Sequence, residues 1–144
     1  MEEQIKNTDR QVKQVIVIRK DLNCRKGKLI AQGSHASIGA LLTMFNKQKY
    51  PDDRTKYSVE FEEDSILDKW LNGIFTKICL YVNSEEELVN LYNNIKENNP
   101  QIPCVLIEDC GLTEFHGVPT KTCIGIGPYW SDEIDMFTKD LKLL

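Results

Sequence analysis

Three polar side chains recur at helical spacing in one stretch of this chain. Lys28, Gln32 and His35 stand at i, i+4 and i+7, so a helix there carries an ammonium, an amide and an imidazole along one face. Such a ridge begins at a helix N-terminus, where backbone N–H groups already favour an anion, and it suits a negatively charged ligand. The bland reading stays open at this point: Lys28 and Gln32 also fit a solvated helix face, and His35 fits a histidine hydrogen-bonded within the core. The segment leading into the ridge is strongly basic. From Arg10 to Lys28 there are seven Lys or Arg (Arg10, Lys13, Arg19, Lys20, Arg25, Lys26 and Lys28) against Asp21 alone, an excess of +6 in a chain of formal net charge −4. Screening beyond about 10 Å makes this local excess matter more than the total, so a polyanion is the expected partner.

The elements that must position these groups follow from hydrophobic patterning. Lys13 to Arg19 contains the run Val15-Ile16-Val17-Ile18, a strand suited to a sheet covered on both faces. A basic elbow, Arg19 to Lys28, leads into a helix over 27–46, with Gly27 expected to supply the turn. Phe75 to Val82 reads as a second strand. Ser84-Glu85-Glu86-Glu87 is a strong helix start, and Asn99-Pro100 is its stop. Cys104 to Ile107 is a third strand, ending at Glu108-Asp109; Lys121 to Ile126 is a fourth, closed by Gly127-Pro128; Ser131 to Lys139 is a last helix. The order βαβαββα, with right-handed crossovers making the first three strands parallel, predicts an α/β fold: a three-layer α/β/α sandwich on a four-stranded mixed sheet.

Ligands of open α/β sheets bind beyond the carboxyl ends of the strands, which selects the basic elbow and Asp109. A carboxylate at that position can be tuned by burial and a neighbouring cation; the alternative is a turn ligand for the loop after it. Residues 1–12 are polar and expected to be flexible, 13–144 form a single domain, and 47–69 form an extended connection that is either a flap or a solvated surface loop before a short helix near Ser65 to Leu71.

Composition excludes several classes. No run approaches the roughly 20 apolar residues of a membrane span, and the N-terminus lacks a signal-peptide core, so a soluble cytoplasmic protein without a membrane partner is expected. The five cysteines are odd in number, have no C-x-x-C spacing and mostly sit in apolar runs, reading as small buried hydrophobes; a zinc site with His35 and His116 is disfavoured. Ser34 lies within a helix, not on a strand-to-helix elbow, and Gly125-Ile126-Gly127-Pro128 is not a dinucleotide fingerprint.

The blocks Arg19-Lys20-Asp21-Leu22 with Gly27-Lys28, Ala31-Gln32 with Ser34-His35-Ala36, Asp109-Cys110-Gly111-Leu112-Thr113-Glu114, Gly125-Ile126-Gly127-Pro128 and Leu141-Lys142-Leu143-Leu144 closely resemble type II peptidyl-tRNA hydrolases, in the family's order, across 13–144. The resemblance implies hydrolysis of the ester joining peptide to tRNA, with no metal and no organic cofactor. It places functional positions at Lys28, Gln32, His35, Asp109, Thr113 and Thr120. On this reading Asp109 positions water or orients His35, Lys28 stabilises negative charge, Thr113 and Thr120 position the ester, and Arg19, Lys20, Arg25 and Lys26 hold acceptor-end phosphates. Two alternatives remain: a noncatalytic RNA-binding or ribosome-associated module, and a hydrolase of another acylated tRNA. A homodimer is compatible with the sequence, which does not decide it.

Overall fold

The computed structural model describes residues 9–112 and 114–144. Strand β1 (Val12–Arg19) is followed by a 3-10 turn (Lys20–Leu22) and helix α1 (Lys26–Leu42). Next come strands β2 (Asn46–Lys49) and β3 (Thr55–Ser58), helix α2 (Ile66–Lys69) continuing into a wider turn (Trp70–Ile74), strand β4 (Lys77–Val82) and helix α3 (Glu85–Asn98). Strands β5 (Cys104–Asp109) and β6 (Thr120–Trp130), helix α4 (Ser131–Thr138) and strand β7 (Lys142–Leu143) complete the chain.

The main sheet has the order β5-β6-β1-β4-β7. Strands β1 and β4 are parallel, β6 is antiparallel to both β1 and β5, and β1, β4 and β5 therefore run the same way, as the crossover rule requires. Alternation divides the core between two faces. Val15, Val17, Leu80 and Ile124 of the sheet pack with Leu88 and Ile95 of α3 and Ile134 of α4, while Ile16, Ile18 and Cys123 pack on the other face with Ala36 of α1. The mixed α/β architecture is as expected.

Two expectations about it are corrected. The sheet has five strands, not four, because Lys142 and Leu143 pair antiparallel with Tyr81 and Leu80; a two-residue strand is too short to show any period. The element order also differs from βαβαββα, because α1 ends at Leu42, short of the expected 46, and β2 and β3 form a separate antiparallel ribbon that starts at Asn46 and extends into the 47–69 connection. Further differences are local. Strand β6 runs through Gly127-Pro128 to Trp130, since a register shift opposite Lys13 to Val15 absorbs the residue that cannot donate to the ladder. The left-handed residue before α1 is Asn23 (φ 51°), whereas Gly27 is simply helical. Arg10 is bound to Asp132 and Glu133 and lies over the Trp130 ring. Cys104 and Cys123 are buried, but Cys79 and Cys110 are exposed and Cys24 is half-buried. The Ser84 N-cap forms as read, with Ser84 Oγ accepting from the Glu87 N–H, while Glu87 Oε2 accepts from the N–H of Asn83, one residue before the cap.

Candidate active site

Strand β5 carries the central carboxylate. Val105 and Ile107 face α1, where they meet Gly39, so two residues on Asp109 points to the same side, at the strand's carboxyl end. Helix α1 lies close over β6 because Gly125 has no Cβ; one added there would overlap the Ala36 carbonyl. That approach brings Lys28 and Gln32 onto Asp109.

Asp109 accepts three hydrogen bonds. Lys28 Nζ donates to Oδ2 at 3.0 Å, the Gly111 N–H to Oδ2 at 2.9 Å, and Gln32 Nε2 to Oδ1 at 3.1 Å. Gly111 itself sits at φ 79°, and a Cβ there would overlap the Val118 carbonyl, so the turn that aims its N–H requires glycine. The Lys28 and Asp109 side chains are 11% and 13% exposed, which makes this a half-sheltered ion pair and not a surface one. Burial by itself would push the Asp109 carboxyl up, but the three donors and the Lys28 charge outweigh it and hold the group below its ordinary value. It is therefore firmly ionised at neutral pH, and a carboxylate of lowered basicity serves better to orient water than to take its proton outright.

Gln32 is itself fixed from behind. Thr122, 3% exposed, donates its hydroxyl proton to Gln32 Oε1, which forces Nε2 toward Asp109. Cys123 Sγ meets the Gln32 carbonyl at 3.4 Å. Neighbouring strand residues normally face opposite sides, yet Thr122 and Cys123 both reach α1. The reason is a bulge: Ile107 pairs with Cys123 and Glu108 with Lys121, leaving Thr122 as an extra residue that is turned toward the helix. Reading the sequence missed Thr122. The Thr-Lys-Thr pattern marks it, but alternation assigns it to the wrong face relative to Cys123. Glu114 and Phe115 were also missed: Glu114 pairs with Arg25 at 3.3 Å, and Phe115 lies 5.4 Å from the Lys28 ammonium.

The remaining expected site residues divide. Thr120 is the strand partner of Asp109, with its hydroxyl donated to the Val118 carbonyl at 2.8 Å. The His35 side chain is exposed and, among the described residues, bonds neither Asp109 nor any other group; the residues that α1 buries against the sheet include Gln32, Ala36 and Ala40. Thr113 lies outside the described residues. Lys20 is exposed over the Tyr81 ring, Lys26 is exposed at the start of α1, and Arg25 is 86% exposed. Arg19 differs from these three. It is 12% exposed and held by Asp21 at 2.7 Å and by the Lys121 carbonyl at 3.0 Å, so it braces the elbow.

Two lysines in the first turn of α1, with no acid and no side-chain cap, oppose the helix dipole. A local rule broken in this way is typical of a working site, where positive charge is needed for something else. Burial raises the Cys24 thiol and pushes Cys123 up to about 11, leaving both protonated and poor nucleophiles. Among the described residues no three His, Cys, Asp or Glu side chains cluster as a metal site would need, and no helix is long and apolar enough to cross a membrane. A broad apolar groove of about 550 Å³, lined by Leu29, Ile30, Ile38, Phe75 and Leu144, lies between α1 and β4, on the side of the helix away from Asp109.

Fold and site together define an open-sheet α/β domain with an ion-paired, cation-rimmed site at the carboxyl end of β5, the place where such domains bind and transform ligands. Residues 12–144 match the family model described as peptidyl-tRNA hydrolase PTH2, and the chain belongs to that family. It is 39% identical over 133 residues to a peptidyl-tRNA hydrolase of Methanocaldococcus jannaschii, and 41% identical over 133 residues to one of Methanothermobacter thermautotrophicus. A peptidyl-tRNA hydrolase of Sulfolobus acidocaldarius is 35% identical over the same length. Each comparison covers 92% of this chain and the whole of the relative.

Proposed function

We propose that this protein hydrolyses the ester bond of peptidyl-tRNA, releasing peptide and tRNA, at the Asp109 site where α1 meets the paired ends of β5 and β6. The observation that carries the reading is the Asp109 carboxylate, ionised and fixed by Lys28, Gln32 and the Gly111 N–H in a member of this family. In the reaction, a water oxygen bonds to the ester carbonyl carbon while the carbonyl oxygen gains negative charge, the bond from that carbon to the ribose oxygen then breaks, and the proton given up by the water ends on the departing ribose oxygen. Asp109 Oδ1, engaged by Gln32, retains acceptor capacity for a proton of the attacking water. Lys28 puts a positive charge beside the nascent oxyanion. Thr113 and Thr120 are assigned to positioning the ester, and His35, on the open rim of α1, to the substrate side of the cleft. Arg25, Lys26 and Lys20 take acceptor-end phosphates, a sequence-independent contact that suits an enzyme acting on many tRNAs. The roles of Thr113, Thr120 and His35 follow from the resemblance to the family, and those of Arg25, Lys26 and Lys20 from residue type and exposure. Action on peptidyl-tRNA puts the protein in the compartment of translation, the cytoplasm.

The test is release of peptide from tRNA carrying an N-blocked aminoacyl group, by the purified protein with and without chelator. Release unchanged by chelator and abolished in Asp109→Ala and Lys28→Ala is expected. RNA binding without turnover would instead indicate a noncatalytic module, and equal turnover of unblocked aminoacyl-tRNA a general acyl-tRNA hydrolase.

A further inference from the structure

We propose that the β2–β3 ribbon is a second RNA-contact surface, which holds the phosphate backbone of the substrate tRNA beyond its acceptor end. The inference rests on the peptidyl-tRNA reading of the Asp109 site. The ribbon pairs with itself and not with the main sheet, and all its strand residues except half-buried Ser58 are exposed. A lone two-stranded ribbon in water is marginal, so one without an apolar face against the domain gains most of its worth from a partner.

Its side chains describe that partner. Register places Lys47 opposite Tyr57 and Lys49 opposite Thr55 on one face, and Gln48 opposite Lys56 on the other. The Lys47 ammonium is 5.7 Å from the Tyr57 ring, and at the tip Arg54 lies over Tyr50 at 4.9 Å while pairing with Asp52 at 2.6 Å. Among the described residues Lys47, Lys49 and Lys56 meet no carboxylate at ion-pair distance, and the ribbon from 46 to 58 carries Lys47, Lys49, Arg54 and Lys56 against Asp52 and Asp53, while the acids Glu60, Glu62, Glu63 and Asp64 follow beyond β3. Lysines alternating with an exposed aromatic ring match the two contacts a nucleic-acid backbone and an unstacked base offer. A protein partner would need a desolvated apolar centre, and Tyr57 is the one large apolar side chain the two strands present. Helix α1 runs from the Lys28 end of the cleft to the ribbon, about 25 Å for its 17 residues. That span lies within the reach of a tRNA arm whose 3′ end occupies the cleft.

The experiment compares the parent protein with Lys47→Glu/Lys49→Glu and with Tyr57→Ala, on a full-length N-acetylaminoacyl-tRNA and on an N-acetylaminoacyl substrate cut back to the CCA end and a short stem. Thermal melting checks that both variants fold. The charge reversal is expected to raise KM for full-length tRNA by about tenfold with kcat unchanged, and to leave KM for the short substrate within about twofold. In Lys47→Ala/Lys49→Ala the log–log salt dependence of tRNA affinity should flatten by about 1.5, for two lost phosphate contacts. An unchanged KM on full-length tRNA, or an equal penalty on both substrates, overturns the proposal. If the parent turns over neither substrate, the activity reading fails separately, and binding of deacylated tRNA decides the ribbon: equal affinity in parent and reversal overturns it. Intact tRNA affinity with lost association with ribosomal protein would transfer the ribbon to a protein partner and overturn it too.

Discussion

Replacing Thr122 by Val keeps the shape of a buried strand residue and removes one hydroxyl. In the structure that hydroxyl donates to Gln32 Oε1, and Gln32 Nε2 in turn donates to Asp109 Oδ1 at 3.1 Å. Without it the buried amide carbonyl loses its donor and nothing fixes which end of the amide faces Asp109. An unsatisfied buried acceptor costs about 1–3 kcal/mol. If the same interaction orients the carboxylate in the transition state, kcat/KM falls roughly 5- to 150-fold, at 1.36 kcal/mol per decade. The assay is steady-state hydrolysis of N-blocked aminoacyl-tRNA at matched folded fraction, with the loss expected in kcat. Thr122→Ser returns the hydroxyl and should recover most of the activity, whereas Thr120→Val, which removes only a bond to the Val118 carbonyl, should cost less than Thr122→Val. A Thr122→Val enzyme within twofold of the parent, or a Thr120→Val enzyme clearly worse, refutes the reasoning.

The other expectations are briefer. The Asp109 carboxyl is depressed in the folded protein, so its contribution to stability is complete above the unfolded value near 3.9 and is lost as pH falls through the folded value; melting temperature should drop below about pH 4, and the drop should be shallower in Asp109→Asn. Gly125→Ala drives a Cβ into the Ala36 carbonyl and should destabilise by at least about 1–3 kcal/mol in chemical denaturation, while Gly39→Ala, which meets only side-chain atoms of Val105 and Ile107, the nearest at 3.2 Å, should cost less. Arg19→Ala should lower the melting temperature, because it breaks the brace to Asp21 and Lys121. Lys26→Ala should leave melting unchanged and weaken tRNA binding with a smaller salt slope; the reverse pattern would reassign both residues.

Much of this molecule is legible along the chain because it is local. The Val15 to Ile18 run, the Ser84 N-cap and the Asn99-Pro100 stop depend on neighbours within a few residues, and each element stands where those signals put it. The parallel direction of β1, β4 and β5 follows from crossover handedness. Lys28 and Gln32 announce a shared helix face by spacing, and Asp109 announces a strand end.

What spacing cannot carry is what faces what across the sheet. His35 shares the i, i+4, i+7 ridge, yet the rotation of α1 on β6, set by Gly125 and Ala36, turns Gln32 inward and leaves His35 outside. Arg19 is one positive charge among seven in the sequence, and only the position of Lys121 on the neighbouring strand makes it a brace. Strand β7 is two residues long and exists because β4 offers an open edge. Thr122 is the clearest case. Strict alternation opposes it to Cys123, and a one-residue bulge, which is a property of the β5–β6 pair and of neither strand alone, turns it onto Gln32. The sequence by itself determined which residues could do chemistry and the order of most elements, since those depend on residue type and local period; tertiary structure decided which of them meet, because contact depends on helix rotation, strand register and bulges that arise only when distant segments pack.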